Sequence, residues 1–174
     1  MTVTLVDKKI IKDWIDYNGH MNLSYYILVF DMGAEVILSK FKMGEHSAKT
    51  TKKSTMVVES HITYDQEVKQ GDEVDVNLIY CDHDKKRIQY KLEMIHTEKK
   101  YLAATLEALS LYVDLNERKV AEFEVEKINL MKEFILKNTN MFKTDNLKFF
   151  EINSFIKSTF SFSNSHTFLS SRST

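Results

Sequence analysis

The sequence predicts an α+β domain in which an antiparallel sheet curls against one buried helix. Three observations predict it. Residues 23–40 are apolar on nearly every face, which a helix tolerates only when covered on most sides. From residue 55 the apolar period drops to two, in four successive runs at hairpin spacing. At 174 residues the chain holds one domain with a real core and is too short for two.

In order, residues 3–11 read as a first strand through Val3, Leu5, Ile10 and Ile11. A polar turn follows from Asp13 to Asn22. Its Asn18-Gly19 pair favours a chain reversal because both residue types tolerate positive φ. The helix runs from about Leu23 to Lys40, with Tyr25, Leu28, Val29, Met32 and Val36 at i, i+3, i+4, i+7 and i+11. Gly33 inside it predicts a close backbone approach, since glycine there otherwise costs about 1 kcal/mol against alanine. Residues 42–53 are polar and read as a loop.

Strands are predicted over 55–66, 73–80 and 87–94, with Gly71-Asp72 and "CDHDKK" as turns. The stretch "YLAATLEALSLYVDL", residues 101–115, is rich in helix-forming Leu and Ala. It reads as a strand nonetheless, because three strands precede it at hairpin spacing and it ends in a β-rich segment. Residues 124–138 read as a surface helix with Ile128, Met131, Phe134 and Ile135 on one stripe. The domain is expected over 1–140, and a loosely ordered Ser- and Phe-rich tail over 141–174.

The balance of 24 basic and 25 acidic side chains gives no reason to expect nucleic acid or an anionic membrane as partner. The single cysteine, Cys81, excludes an internal disulfide and a cysteine metal cage. No secretory signal pattern and no apolar run near the length of a membrane span are present, so a cytoplasmic protein is expected. The histidines show no metal-ligand spacing, and no glycine-rich phosphate loop exists. Neither metal nor redox cofactor is expected.

The segment "DYNGHMNLSYY", residues 16–26, places Asp16, Asn18 and His20 just ahead of the buried helix. Asp, Asn and Gly are also what any tight turn contains, and Asn22 is a serviceable N-cap. A helix N-terminus carries unpaired N–H groups and partial positive charge, so amides near Leu23 to Tyr25 are candidate donors to a polarised carbonyl. A carboxylate ahead of them is placed to attack that carbonyl or to deprotonate water.

This segment resembles the D-x-x-G-H-x-N-x-x-Y turn of the hotdog-fold acyl-CoA thioesterases typified by 4-hydroxybenzoyl-CoA thioesterase. "HITYDQEVKQGDEVDV" is similar to that family's strand-turn-strand, and "AATLEALSLYVDL" to its last strand. The longer form "WIDYNGHMN…YYILVFD" is most similar to the branch acting on betainyl-CoA in carnitine breakdown. The resemblance covers residues 3–138 and implies a curved sheet around a central helix. It also implies a homodimer or homotetramer with the site at the subunit interface, and hydrolysis of a small acyl-CoA. Asp16 takes the family's catalytic position, as nucleophile or general base, and Asn18 and His20 match a D-x-N-x-H arrangement of related acyl-ACP thioesterases.

Expected substrate contacts are Trp14, Tyr17, Gly19, Asn22, Leu23, Tyr25, Tyr64 and Glu67. The aromatic members are a candidate cage for a quaternary ammonium, at about 1–2 kcal/mol per contact; Tyr25 and Tyr26 also qualify as plain core residues of the helix. Lys85, Lys86 and Arg87 are candidates for coenzyme A phosphates, or else a solvated hairpin end. Glu107 lies among apolar neighbours and, if buried, needs a partner or a raised pKa. Two rival readings stay open: a thioesterase for acyl-ACP or medium-chain fatty acyl-CoA, and a non-catalytic acyl-CoA-binding module on the same fold.

Overall fold

The computed structural model describes residues 3–149. Strand β1 (Val3–Lys9) leads through a 3-10 turn at Lys12–Trp14 into helix α1 (Leu23–Lys40) and a short helix α2 (Glu45–Thr50). Strands β2 (Lys53–Tyr64), β3 (Glu73–His83), β4 (Arg87–His96), β5 (Leu102–Asp114) and the two-residue β6 (Lys119–Val120) follow. Helix α3 (Val125–Asn138) comes last. The antiparallel sheet has the order β1-β3-β4-β5-β2, with β6 appended to β5. The predicted α+β architecture, with a sheet curled on one long helix, is the one observed.

Gly33 explains how closely the helix sits. A Cβ there would lie 2.9 Å from Val76 Cγ1 on β3 and 3.6 Å from Leu5 Cδ1 on β1. The face of α1 turned to the sheet carries Tyr26, Val29, Phe30, Ala34 and Ile37. That differs from the expected stripe. Val29 alone of the predicted set is fully buried, while Leu28 is exposed and Met32 and Val36 are half-buried. An all-apolar helix carries no phase in its sequence, so Gly33 and the β3 surface decide which side turns inward.

Several boundaries change: β3 runs on through Cys81, Asp82 and His83, which pair with Tyr90, Gln89 and Ile88, so the expected "CDHDKK" turn shrinks to its last residues. The first strand ends at Lys9, because Ile10, Ile11 and the residues after them bend into the 3-10 turn. The expected loop at 42–53 contains α2. Gly44, at φ 88°, lets the chain double back so that the Glu35 carboxylate accepts the Glu45 N–H at 3.0 Å. Strand β6 was not foreseen.

Beyond α3, residues 142–149 lie over the outer face of the sheet. Phe142 packs on Tyr80, Lys143 pairs with Glu93, and Lys91 Nζ donates to the Asn146 carbonyl. Glu107, 1% exposed, is satisfied by this segment: it accepts from Gln89 Nε2 (2.8 Å) and from the amides of Lys148 (2.8 Å) and Phe149 (2.9 Å). The remainder of the expected tail, from residue 150, lies outside the described residues. Among the described residues no helix is long and apolar enough to cross a membrane.

Candidate active site

The turn ahead of α1 is built by backbone bonds. Asp16 N–H donates to the His20 carbonyl and Gly19 N–H to the Asp16 carbonyl, both at 3.0 Å, with Gly19 at φ 82°. A bridge between Ile15 and Met21 closes the loop, and Met21 N–H donates to the Val68 carbonyl (2.8 Å). The turn is thereby tied to the segment between β2 and β3. Asp16 Oδ1 accepts the Asn18 N–H at 2.8 Å, which aims its other oxygen towards His20.

His20 stands between two carboxylates. Its Nε2 is 3.7 Å from Asp16 Oδ2 and its Nδ1 is 3.4 Å from Glu67 Oε2. Lys69 Nζ lies 2.8 Å from the other Glu67 oxygen, and this lysine, with a smaller contribution from His20, holds the Glu67 carboxyl below its ordinary value. The row Asp16–His20–Glu67–Lys69 therefore alternates in charge if the imidazole carries a proton.

At the helix tip Asn22 Oδ1 accepts the Ser24 N–H (3.0 Å) and the Asn22 carbonyl accepts the Tyr25 N–H (3.0 Å). Leu23 N–H is the first-turn amide that Asn22 does not take. Of the candidate donors from Leu23 to Tyr25, it is the one left for a ligand.

These groups line a cleft of about 420 Å³ that holds Asp16, Asn18, His20, Asn22, Leu23 and Glu67 together with Tyr17, Tyr26, Tyr64 and Asp65. Tyr17 is 97% exposed at its rim, and Tyr64 meets Tyr26 edge to face at 5.2 Å. Burial raises the Tyr26 hydroxyl above its ordinary range, so it stays protonated; its oxygen accepts the Val68 N–H at 3.3 Å.

Trp14, Tyr25 and Gly19 do not line the cleft. Trp14 is buried and stacks on Tyr25, centroids 5.4 Å apart, so this pair supports the turn from behind. Lys85, Lys86 and Arg87 stand at the β3–β4 turn. Arg87 opposes Leu111 on β5, whereas Tyr64, at the cleft, opposes Ala104, so within one chain the basic turn lies about 23 Å along the strand from the cleft. Arg87 is moreover held by Asp84 at 2.7 Å. Among the described residues no cluster of His, Cys, Asp and Glu is arranged to hold a metal ion. The resemblance would bring residues 64–67 in from a second subunit, whereas here Tyr64, Asp65, Gln66 and Glu67 line the cleft of their own chain; Lys69, in the polar segment "DQEVKQGD", was not singled out in the sequence.

A long helix wrapped by a curled antiparallel sheet, with a polar cleft at the helix N-terminus, is a hotdog fold. The Thioesterase-like superfamily matches residues 11–137, and the chain belongs to this family. It is 27% identical over 124 residues to a betainyl-CoA thioesterase of Pseudomonas aeruginosa, covering 71% of this chain and 78% of that one. It is 30% identical over 110 residues to an L-carnitine dehydrogenase/betainyl-CoA thioesterase of Rhizobium meliloti, covering 63% of this chain and 22% of that longer protein. Among solved structures it is similar to a Staphylococcus aureus protein in complex with CoA (TM-score 0.72, 21% identity, 84% of this chain and 89% of that one). It is also similar to a 1,4-dihydroxy-2-naphthoyl-CoA thioesterase of Synechocystis (TM-score 0.66, 18% identity, 75% and 96%).

Proposed function

We propose that the protein hydrolyses a small acyl-CoA with a cationic acyl group, betainyl-CoA in the first instance, to the free acid and CoA. The carrying observation is that Asp16, His20 and the Leu23 amide share one cleft at the tip of α1. With the thioester carbonyl on the Leu23 N–H, negative charge developing on its oxygen is stabilised; one such donor is worth about 3 kcal/mol of barrier. Asp16 supplies the attacking oxygen or takes the proton from the attacking water, and His20 holds its carboxylate in place. The carbon–sulfur bond then breaks and CoA leaves as the thiolate; with Asp16 as base its proton passes to the thiolate, and with Asp16 as nucleophile a water then hydrolyses the acyl-Asp16 anhydride to the free acid and restores the carboxylate.

The cationic acyl group is supported by the lining. Asp16, Asp65 and Glu67 bring three carboxylates, and Tyr17 and Tyr64 two accessible ring faces, with His20 the sole titratable base among them. Trp14 and Tyr25, stacked behind the turn, are not part of this cage.

The working enzyme is a dimer in this reading. Among the described residues strand β2 is an edge, paired only to β5, with Met56, Val57 and Val58 exposed; Leu23, Ile27 and Leu28 are exposed on α1. An unpaired twelve-residue edge beside an uncovered helix face is what a second copy would cover. Sedimentation should give twice the chain mass, and Val57→Lys should return it to one.

A thiol-release assay across betainyl-CoA, its neutral isostere 3,3-dimethylbutanoyl-CoA, and short, aromatic and medium-chain acyl-CoAs tests the substrate. Betainyl-CoA should be turned over about tenfold or more better than the isostere. Equal rates dismiss the cationic class, and no release from any acyl-CoA dismisses the activity.

A further inference from the structure

Gln66 and Glu67 form a thin wall. They line the cleft that holds Asp16 on one side and, on the other, a second cleft of about 330 Å³ bounded by Lys69, Asp72, Lys99 and Tyr101. Both residues are exposed with open space on either side, so ahead of Val68, which is fully buried and bonded to Tyr26 and Met21, their position rests on hydrogen bonds. The amides of Asp65 and Gln66 share the Ala103 carbonyl (2.8 and 3.1 Å). At Glu67 itself the hold is a side chain: Tyr101 donates its hydroxyl proton to the Glu67 carbonyl at 2.8 Å.

Tyr101 is in turn braced. Its ring lies on His96, centroids 4.8 Å apart, and its carbonyl accepts the His96 N–H at 2.9 Å. His96 Nδ1 accepts the amides of Glu98 and Lys99, both at 3.2 Å, which places its proton on Nε2. That nitrogen is buried 3.4 Å from Asp72 Oδ1, and Asp72 Oδ2 accepts the Lys69 N–H at 2.8 Å. Glu67, through the Tyr101 hydroxyl, and Lys69, through Asp72, therefore both lead to the neighbourhood of His96 at the end of β4, although His96 Nε2 makes no hydrogen bond to Asp72. Across the wall, Glu67 Oε2 is the group facing His20 Nδ1.

We propose that Tyr101 is a positioning residue of the active site: its hydroxyl pins the Glu67 carbonyl and so keeps the Glu67 carboxylate on His20, which faces Asp16. The inference rests on the reading of this cleft as catalytic. Removing the hydroxyl leaves the 67–68 peptide held on its Tyr26 side alone, so Glu67 can turn towards the space behind it and away from the imidazole.

The test is a double-mutant cycle on the full chain labelled with 15N-histidine, using Tyr101→Phe, Glu67→Ala and the pair. The His20 ring resonances, identified by their loss in His20→Gln, should move in Tyr101→Phe and show no further movement when Tyr101→Phe is added to Glu67→Ala. In parallel, kcat should fall about twofold to tenfold in Tyr101→Phe, with KM nearly kept, and not fall again in the Glu67→Ala background. His20 signals that ignore Tyr101→Phe, or that shift equally in both backgrounds, overturn the inference. A purely structural tyrosine would lower the thermal midpoint alike in both backgrounds and leave the His20 signals in place. The catalytic reading fails separately, through normal turnover by an Asp16→Asn protein, and the histidine spectra still judge Tyr101 in that case.

Discussion

Two polar clusters sit in different parts of the molecule, and they differ in how tightly they are closed. Around Glu124, which precedes α3, every contact is short: Lys53 Nζ at 2.8 Å, Tyr112 hydroxyl at 2.9 Å and Lys127 Nζ at 3.1 Å. Lys127 is buried and lies over the Tyr112 ring, which stacks on Phe123. Burial by itself would raise the Glu124 carboxyl, but the hydrogen bonds from Lys53, its own backbone, Lys127 and Tyr112 outweigh it and bring it down to about 2. Around Asp16 each carboxylate has one close partner, the Asn18 amide on Asp16 and Lys69 on Glu67, both at 2.8 Å, but the His20 ring stands off at 3.7 and 3.4 Å and the cleft is open to solvent. A saturated cluster joins α3 to β2 and β5 and leaves nothing to offer a substrate. The loose one keeps an oxygen, an imidazole and an amide unspent, as a site that must tighten around a ligand requires.

The contrast breaks if the two clusters respond alike to losing one carboxylate. Asp16→Asn has the larger expected effect: turnover falls about 100-fold or more while the thermal midpoint moves by no more than about 2 °C, since the amide oxygen still accepts the Asn18 N–H. Steady-state thiol release and thermal melting read the two halves of that statement. Glu124→Gln should do the reverse. It leaves Lys53 and the buried Lys127 without their counter-charge, and destabilises the fold at neutral pH by about 1 kcal/mol, with kcat unchanged. The figure is kept small because the carboxylate is 40% exposed and solvent screens it.

The pH dependence of that difference has a fixed sign. A carboxyl whose folded-state value lies below its unfolded value of 4.5 stabilises the fold above that value. The contribution is lost as pH falls from 4.5 through about 2. Denaturant curves of the parent and of Glu124→Gln should therefore converge over that window and stay parallel above pH 6. A gap that persists at pH 2 would assign the difference to packing instead of charge.

Much of this was legible in the sequence for identifiable reasons. The period-two runs and the Gly71-Asp72 turn reported the sheet, and hairpin spacing overruled the helix-forming Leu and Ala of β5. Gly33 reported a close approach that Val76 and Leu5 now explain. Asp16, Asn18 and His20 are neighbours in the chain, so their grouping at one cleft needed only a turn to be recognised.

What stayed hidden depends on partners far apart in sequence. Helix α2 has no apolar period and exists because Glu35 receives its first amide. The partners of Glu107 come from 148 and 149. The meeting of His20 with Glu67 and Lys69 joins segments that only the folded sheet end brings together. In the polar "KKR" run, for which a phosphate contact and a solvated hairpin end were both open, Arg87 is taken up by Asp84, three residues before it.

The missing side chain at position 33 has an effect beyond packing. A notch that admits Val76 keys the rod against the sheet, so α1 can neither slide along its axis nor roll without a clash. Ten residues, about 15 Å, separate that notch from Leu23. The location of the donating amide is thus inherited mechanically from a contact at the middle of the molecule, and alignment at the mouth is set by a methyl group that is not there.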